Sequence, residues 1–212
     1  SSRQSTPLPS NGDKVVLFLG RITMQKGPEY FLHAARQVLQ KLDNVKFIMA
    51  GDGDMLYRSI ELAAELGIGH KVLFTRFLRG SQVDMVYRMA DLYVLPSVSE
   101  PFGITPLEAL QNRVPVLISR QSGVSEILRH ALKVDFWDTR LMADRMVAVL
   151  KRPPLHETLR EEGGREAQKC RWSDSAGWQV FAGAGPQRPG RLNLPAEAWK
   201  LRSRPWAERP LH

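Results

Sequence analysis

The stretch LYVLPSVSEPFGITPLEALQNRVPVLIS, residues 92–119, decides the fold. A short apolar run at 92–95 leads into a loop holding Pro96, Pro101 and Gly103; a helical run follows, and a second apolar run comes at 115–119. Strand, loop, helix and strand in so few residues form the crossover unit of a parallel sheet, whose strands are buried on both faces and read as continuous apolar runs. Two carboxylates, Glu100 and Glu108, stand in this unit with seven residues between them. Thr105, Pro106 and Glu108 spell a capping box, with Thr105 as N-cap and Pro106 as first helical residue, which gives Glu108 a structural role of its own. Glu100 has no such local role. Between the two acids, Phe102, Gly103 and Ile104 are expected to offer exposed amides at a helix N-terminus. Such amides favour phosphate, and a carboxylate beside them accepts hydrogen bonds from sugar hydroxyls. A ligand that carries both groups is a nucleotide sugar.

Outward from this unit the same alternation runs from Lys14 to Leu150. Further strands are expected at 14–19, 46–50, 71–74 and 132–134, which makes about six. Phe31, Ala34, Ala35, Val38, Leu39 and Leu42 keep helical spacing after the first strand, as do Leu56, Ile60, Ala63, Ala64 and Leu66 after the second. Segments 143–150, 157–169 and 173–181 read as closing helices. The fold class is α/β, a Rossmann-like parallel sheet with flanking helices. Residues 1–13, with Pro7, Pro9 and Gly12, read as a linker; 14–182 as the domain; 183–212 as a tail.

Ligands of open parallel sheets bind outside the carboxyl ends of the strands, so the loops that follow strands carry the chemistry. After the first strand, Gly20 allows a sharp exit, and Arg21 and Lys26 bring two cations to that edge, suited to a diphosphate. Gly27 leaves room at a helix entrance and Pro28 suits its first position. The sequence is neither GxxxxGK[ST] nor GxGxxG, so it is neither a P-loop nor a dinucleotide fingerprint. Two solvated surface cations are the plainer explanation of this loop taken alone. After the second strand, Gly51-Asp52-Gly53-Asp54 reads as a tight turn; its glycines would let a base or sugar lie against backbone, while Asp54 is also a plain N-cap candidate.

The 212 residues are 43% apolar and 25% charged, a globular composition with no apolar run long enough to span a bilayer. The start, SSRQSTPLPSNGDK, lacks the layout of a signal peptide. The lone Cys170 forms no internal disulfide, and a reducing compartment is expected, cytoplasmic and with contact at a membrane surface left open. The net charge of +8 invites a nucleic-acid reading. Its distribution weakens that reading: residues 183–212 carry six Lys/Arg against two Asp/Glu, half of the excess, together with five of the fourteen prolines. A basic tail touches phosphates without defining a fold, and no specific nucleic-acid partner is expected. His33, His70, His130, His156 and His212 lack ligand spacing and are assigned surface or structural roles.

Taken together, Gly20-Arg21 with Lys26-Gly27, the run Ala90-Asp91-Leu92-Tyr93-Val94-Leu95-Pro96-Ser97, the Glu-x7-Glu pair, Pro115-Val116 and Gly123-Val124-Ser125-Glu126 resemble the retaining glycosyltransferases of family 4. The resemblance runs from about Lys14 to Phe181. It implies the C-terminal, donor-binding domain of a GT-B enzyme, in which two Rossmann-like domains face each other. It further implies that Arg21 and Lys26 hold the donor diphosphate, that Glu108 accepts from the ribose hydroxyls, and that Glu100 sits near the donor sugar. Gly20, Phe102, Gly103, Ile104 and Thr105 would supply loop contacts, and the loops around Gly51, Gly53 and Phe77 would flank the base. A UDP-, GDP- or ADP-sugar is the implied donor, with no cofactor and no metal, because cations stabilise the leaving nucleotide. The implied partners are an acceptor, whether glycan, lipid or small molecule, and an N-terminal domain. Without that domain this chain is expected to be inactive or nearly so. Two departures stand out: Asn112-Arg113 replaces the small residue and glycine usual before Pro115, with Asn112 expected as a left-handed cap, and Arg76 replaces a small residue near the base. The competing readings are a sugar-nucleotide-binding fragment without catalysis and a basic interaction protein.

Overall fold

The computed structural model describes residues 12–100 and 103–173. Six strands, β1 (Lys14–Leu19), β2 (Val45–Ala50), β3 (Val72–Arg76), β4 (Leu92–Leu95), β5 (Val116–Ser119) and β6 (Leu132–Val134), form one sheet in the order β3-β2-β1-β4-β5-β6. All five pairings are parallel. Every residue of β1, β4 and β5 is buried, which is why these strands are apolar apart from Lys14 at the start of β1 and Ser119 at the end of β5. The chain first builds outward from β1 to β3, then returns to β1 and builds the other way through β4. Strand order therefore reverses between β1 and β4, and a crevice opens there at the carboxyl ends.

Seven helices cover the sheet among the described residues: α1 (Pro28–Leu39), α2 (Leu56–Glu65), α3 (Ser81–Met89), α4 (Ile104–Gln111), α5 (Val124–Ile127), α6 (Thr139–Lys151) and α7 (Pro153–Ser173). Phe31 of α1 sits edge-on between Phe18 and Phe47, with ring centroids 5.5 and 5.8 Å apart, and locks the helix to β1 and β2. Helix α1 also packs on α2 and α6, and α7 packs on α4 and α6. Pro28 occupies the first turn of α1, as its fixed φ favours. Asp138 caps α6 by accepting from the Leu141 amide at 2.9 Å.

The strand expectations hold within two residues at each end, and 14–19, 92–95 and 132–134 match in full. Helix α3 was not foreseen. In α2 the inward face is Leu56, Ser59, Leu62 and Ala63, whereas Ile60 is 40% exposed and Ala64 points outward; the stripe is rotated from the one read in the sequence. Asp54 does not cap α2, whose N-cap is Met55. The left-handed residue after α4 is Arg113 at φ 57°, not Asn112, whose side chain instead donates to Glu108 O at 2.9 Å. The segment 157–169 lies inside α7, which starts four residues earlier. The segment 173–181 beyond Ser173, the tail 183–212 and residues 1–11 of the linker lie outside the described residues.

The capping box is overturned. Helix α4 starts at Ile104 with Gly103 as N-cap and no side-chain cap, which moves Thr105 to the second position and Pro106 to the third. Pro106 still costs nothing there, since first-turn residues have no intrahelical acceptor to lose. Glu108, one turn further in, therefore caps nothing. Its Oε2 lies 3.0 Å from the Tyr87 hydroxyl of α3.

Candidate functional site

At the crevice between β1 and β4 lies a cavity of about 350 Å³. Its lining draws Gly20, Arg21 and Lys26 from the loop after β1, Gly51 from the loop after β2, Phe77 from beyond β3, and Glu100, Gly103, Ile104 and Thr105 from the α4 approach. Nine residues singled out in the sequence thus meet at one site. Gly53 and Glu108 are not in the lining, and Phe102 lies outside the described residues.

The first loop holds Lys26 through a 3-10 turn, Met24–Lys26, closed by Gly27 at φ 68°. A Cβ on Gly27 would lie 2.1 Å from Pro96 O, so only glycine lets this turn lie against the end of β4. That approach sets the Lys26 ammonium in direct contact with the Glu100 carboxylate. The two side chains are 21% and 10% exposed, so solvent screens the pair weakly. Burial, and then the charge of Arg21, push the Lys26 ammonium below its ordinary value of 10.5. The Glu100 carboxylate in contact with it supplies the counter-charge. Glu100 is itself fixed from behind: the Gly123 amide donates to its carbonyl at 2.7 Å, and an isolated parallel bridge joins it to Ser122.

The second loop is pinned to the first. Ile22 N donates to Asp52 O and Met55 N to Ile22 O, each at 3.0 Å, and Asp52 Oδ1 accepts from the Gly53 amide at 2.8 Å. A Cβ on Gly51 would fall 1.9 Å from Gly20 O. The space beside Gly51 is therefore filled by the neighbouring loop's backbone, while the loop as a whole still walls the cavity. Phe77, 61% exposed, stands at the rim with the Arg79 guanidinium 5.1 Å from its ring centre.

The α4 end contributes dipole and donors. With Gly103 as an uncapped N-cap, the first-turn amides have no side-chain acceptor, and they stand at the cavity beside two cations. Behind them lie two phenols that the sequence did not flag as functional. Tyr93 Oη is 3.0 Å from Leu19 O and 2.8 Å from Thr105 Oγ1; its one proton goes to the carbonyl, so the threonine hydroxyl donates in return. Tyr87 Oη is 3.0 Å from Glu108 Oε2 and 3.1 Å from Thr105 O. Burial pushes both phenols far above the usual tyrosine range, so they are permanent O–H donors. A tyrosine in a fully apolar strand was the only trace of Tyr93, and Tyr87 sat in a helix that the sequence did not reveal. Leu78 and Val83 complete the wall from that same region. Among the described residues, no group of three or more His, Cys, Asp or Glu side chains clusters as a metal site, and no helix is long and apolar enough to cross a membrane.

Comparison with known proteins gives this chain a family. Residues 2–166 match the family model described as Glycosyl transferases group 1. The chain belongs to the group 1 glycosyltransferases. An uncharacterized glycosyltransferase of Methanocaldococcus jannaschii is 43% identical over 118 residues, which are 56% of this chain and 30% of that protein. Among solved structures, the C-terminal domain of the group 1 glycosyltransferase LpcC from Francisella tularensis superposes with a TM-score of 0.68 at 23% identity, covering 74% of this chain and 86% of that domain. Anabaena HepE, solved in complex with UDP and glucose, superposes with a TM-score of 0.69 at 20% identity, over 74% of this chain and 44% of HepE. The fold is the Rossmann-like α/β unit of GT-B glycosyltransferases. This group 1 chain spans less than half the length of the first-named relative and of HepE.

Proposed function

We infer that this chain is the donor-binding domain of a retaining, family 4 glycosyltransferase, which moves a sugar from a nucleotide sugar to an acceptor. The observation that carries the reading is the convergence of Arg21, Lys26, Glu100 and the α4 N-terminus on one cavity at the strand-order reversal. Its volume lies within the range of small-molecule sites. Each group has a charge the reaction needs. Cleavage of the anomeric C–O bond develops negative charge on the β-phosphate, which Arg21, Lys26 and the α4 amides oppose, and positive charge on the sugar, which Glu100 eases. Glu100 acts by charge and position, not as a nucleophile. Glu108 accepts from the ribose hydroxyls, and Phe77 with the loop around Gly51 flanks the base. The complexes of HepE with UDP and glucose and with UDP-glucose support a donor of this class. The acceptor and the second α/β domain are expected outside this chain, so the domain alone binds donor without turnover.

Calorimetric titration with UDP-, GDP- and ADP-sugars tests this directly. One of the three should bind, and Arg21→Ala and Lys26→Ala should each weaken it by about tenfold or more, the scale of a lost charged contact to phosphate. No binding at millimolar ligand would remove the reading.

A further inference from the structure

Two phenols, with Thr105 between them, link the cavity wall to the second acid. The link runs from Leu19 O, at the cavity wall, through Tyr93 of β4 and Thr105 of α4, and then from Thr105 O through the Tyr87 hydroxyl to Glu108 Oε2. The two rings stand 6.2 Å apart, and Tyr87 is only 1% exposed. Phenylalanine would fill either space equally well, so packing alone does not call for the hydroxyls. Val83, one turn before Tyr87, and Thr105, one turn before Glu108, both line the cavity, which places the Tyr87–Glu108 contact one helical turn behind its wall. A carboxylate on a half-buried helix face has several rotamers, and one donor on one oxygen selects among them.

We propose that Tyr87 is a positioning residue for the donor nucleotide: its hydroxyl occupies Oε2 of Glu108 and leaves Oε1 as the acceptor for the two ribose hydroxyls. This rests on the nucleotide-sugar reading of the site and assigns to α3 a part in it. Tyr87 touches no reacting atom; it acts through Glu108, its one proton shared between Glu108 Oε2 and Thr105 O.

The test is calorimetric, on the full chain, with UDP, GDP and ADP, with the 2′,3′-dideoxy form of whichever binds, and with inorganic pyrophosphate. Tyr87→Phe should weaken the ribonucleotide about tenfold, the size of one hydrogen bond to a charged group, and leave the dideoxy form and pyrophosphate unchanged. In a Glu108→Ala background the same Tyr87→Phe change should have no further effect on the ribonucleotide. A purely structural hydroxyl would lower the unfolding midpoint and shift all ligands alike, and that result overturns the proposal, as does an unchanged ribonucleotide affinity. Failure of the wild-type chain to bind any of the three nucleotides overturns the nucleotide reading as well as this inference. Ribonucleotide binding without a ribose-dependent loss overturns this inference alone.

Discussion

Lys26 and Glu100 neutralise one another in direct contact, although the proposed function assigns each to a different part of the donor. On the proposed reading a diphosphate takes the ammonium from the carboxylate, which is then left to face the sugar. Glu100→Gln removes that competitor and should tighten pyrophosphate binding by roughly fivefold, about 1 kcal/mol, with the gain shrinking at high salt. Unchanged or weaker affinity in calorimetry would show that the pair does not gate the site. The lowered Lys26 value gives a second expectation. Its charge is lost at a pH below the ordinary 10.5, so affinity for the bound nucleoside diphosphate should begin to fall below 10.5 as pH rises. Lys26→Arg, which keeps its charge, should flatten that profile. At this scale the sequence brought Arg21, Lys26 and Glu100 to one edge of the sheet, where they line one cavity, and it misled where two local explanations compete. Glu108 was read through Thr105 and Pro106 as a cap because the pattern fits; its real partner, Tyr87, lies 21 residues away in the chain. No local pattern contains a contact of that range.

The elements that present these residues are held by backbone contacts between loops. Gly51 has φ 142° and a carbonyl where its Cβ would be, and that carbonyl belongs to Gly20 on the cavity wall. Gly51→Ala should cost about 3 kcal/mol in urea unfolding and weaken nucleotide binding with it, because the two loops must part. A near-neutral substitution would mean the loops are not in contact. On the opposite edge of the sheet, buried His156 of α7 lies 2.8 Å from Asp91 O, and burial pushes its imidazole below its ordinary 6.5. The folded state thus takes up a proton less readily than the unfolded chain. The stability this contributes is complete above 6.5 and drains away as pH falls below it. Unfolding midpoints from neutral pH down to about pH 5 should fall in the wild type and fall less in His156→Gln. Strands were legible because burial on both faces leaves few polar residues to blur them, as in β1 and β4. Helix faces were less so: alanines such as Ala64 carry little signal about which side is inward, and the short α3 went unread although Val83, Val86, Tyr87 and Met89 keep helical spacing.

For the molecule as a whole, the order β3-β2-β1-β4-β5-β6 explains why residues from four separate loops share one cavity. Alternation of strands and helices announced a parallel sheet, but not which strand neighbours which; that follows from packing between segments distant in sequence. The general rule on strand ends pointed to these loops, and nine of the residues expected there line the cavity at the β1/β4 reversal. On the proposed reading a nucleoside diphosphate binds at this reversal. Backbone amide shifts, recorded while the tightest-binding of UDP, GDP and ADP is titrated into the 15N-labelled chain, test this. The largest changes should fall at Gly20, Gly51, Gly103, Ile104 and Thr105, with the amino ends of the strands unmoved. Changes confined to residues 183–212, or to the amino edge around Asp91 and His156, would contradict it.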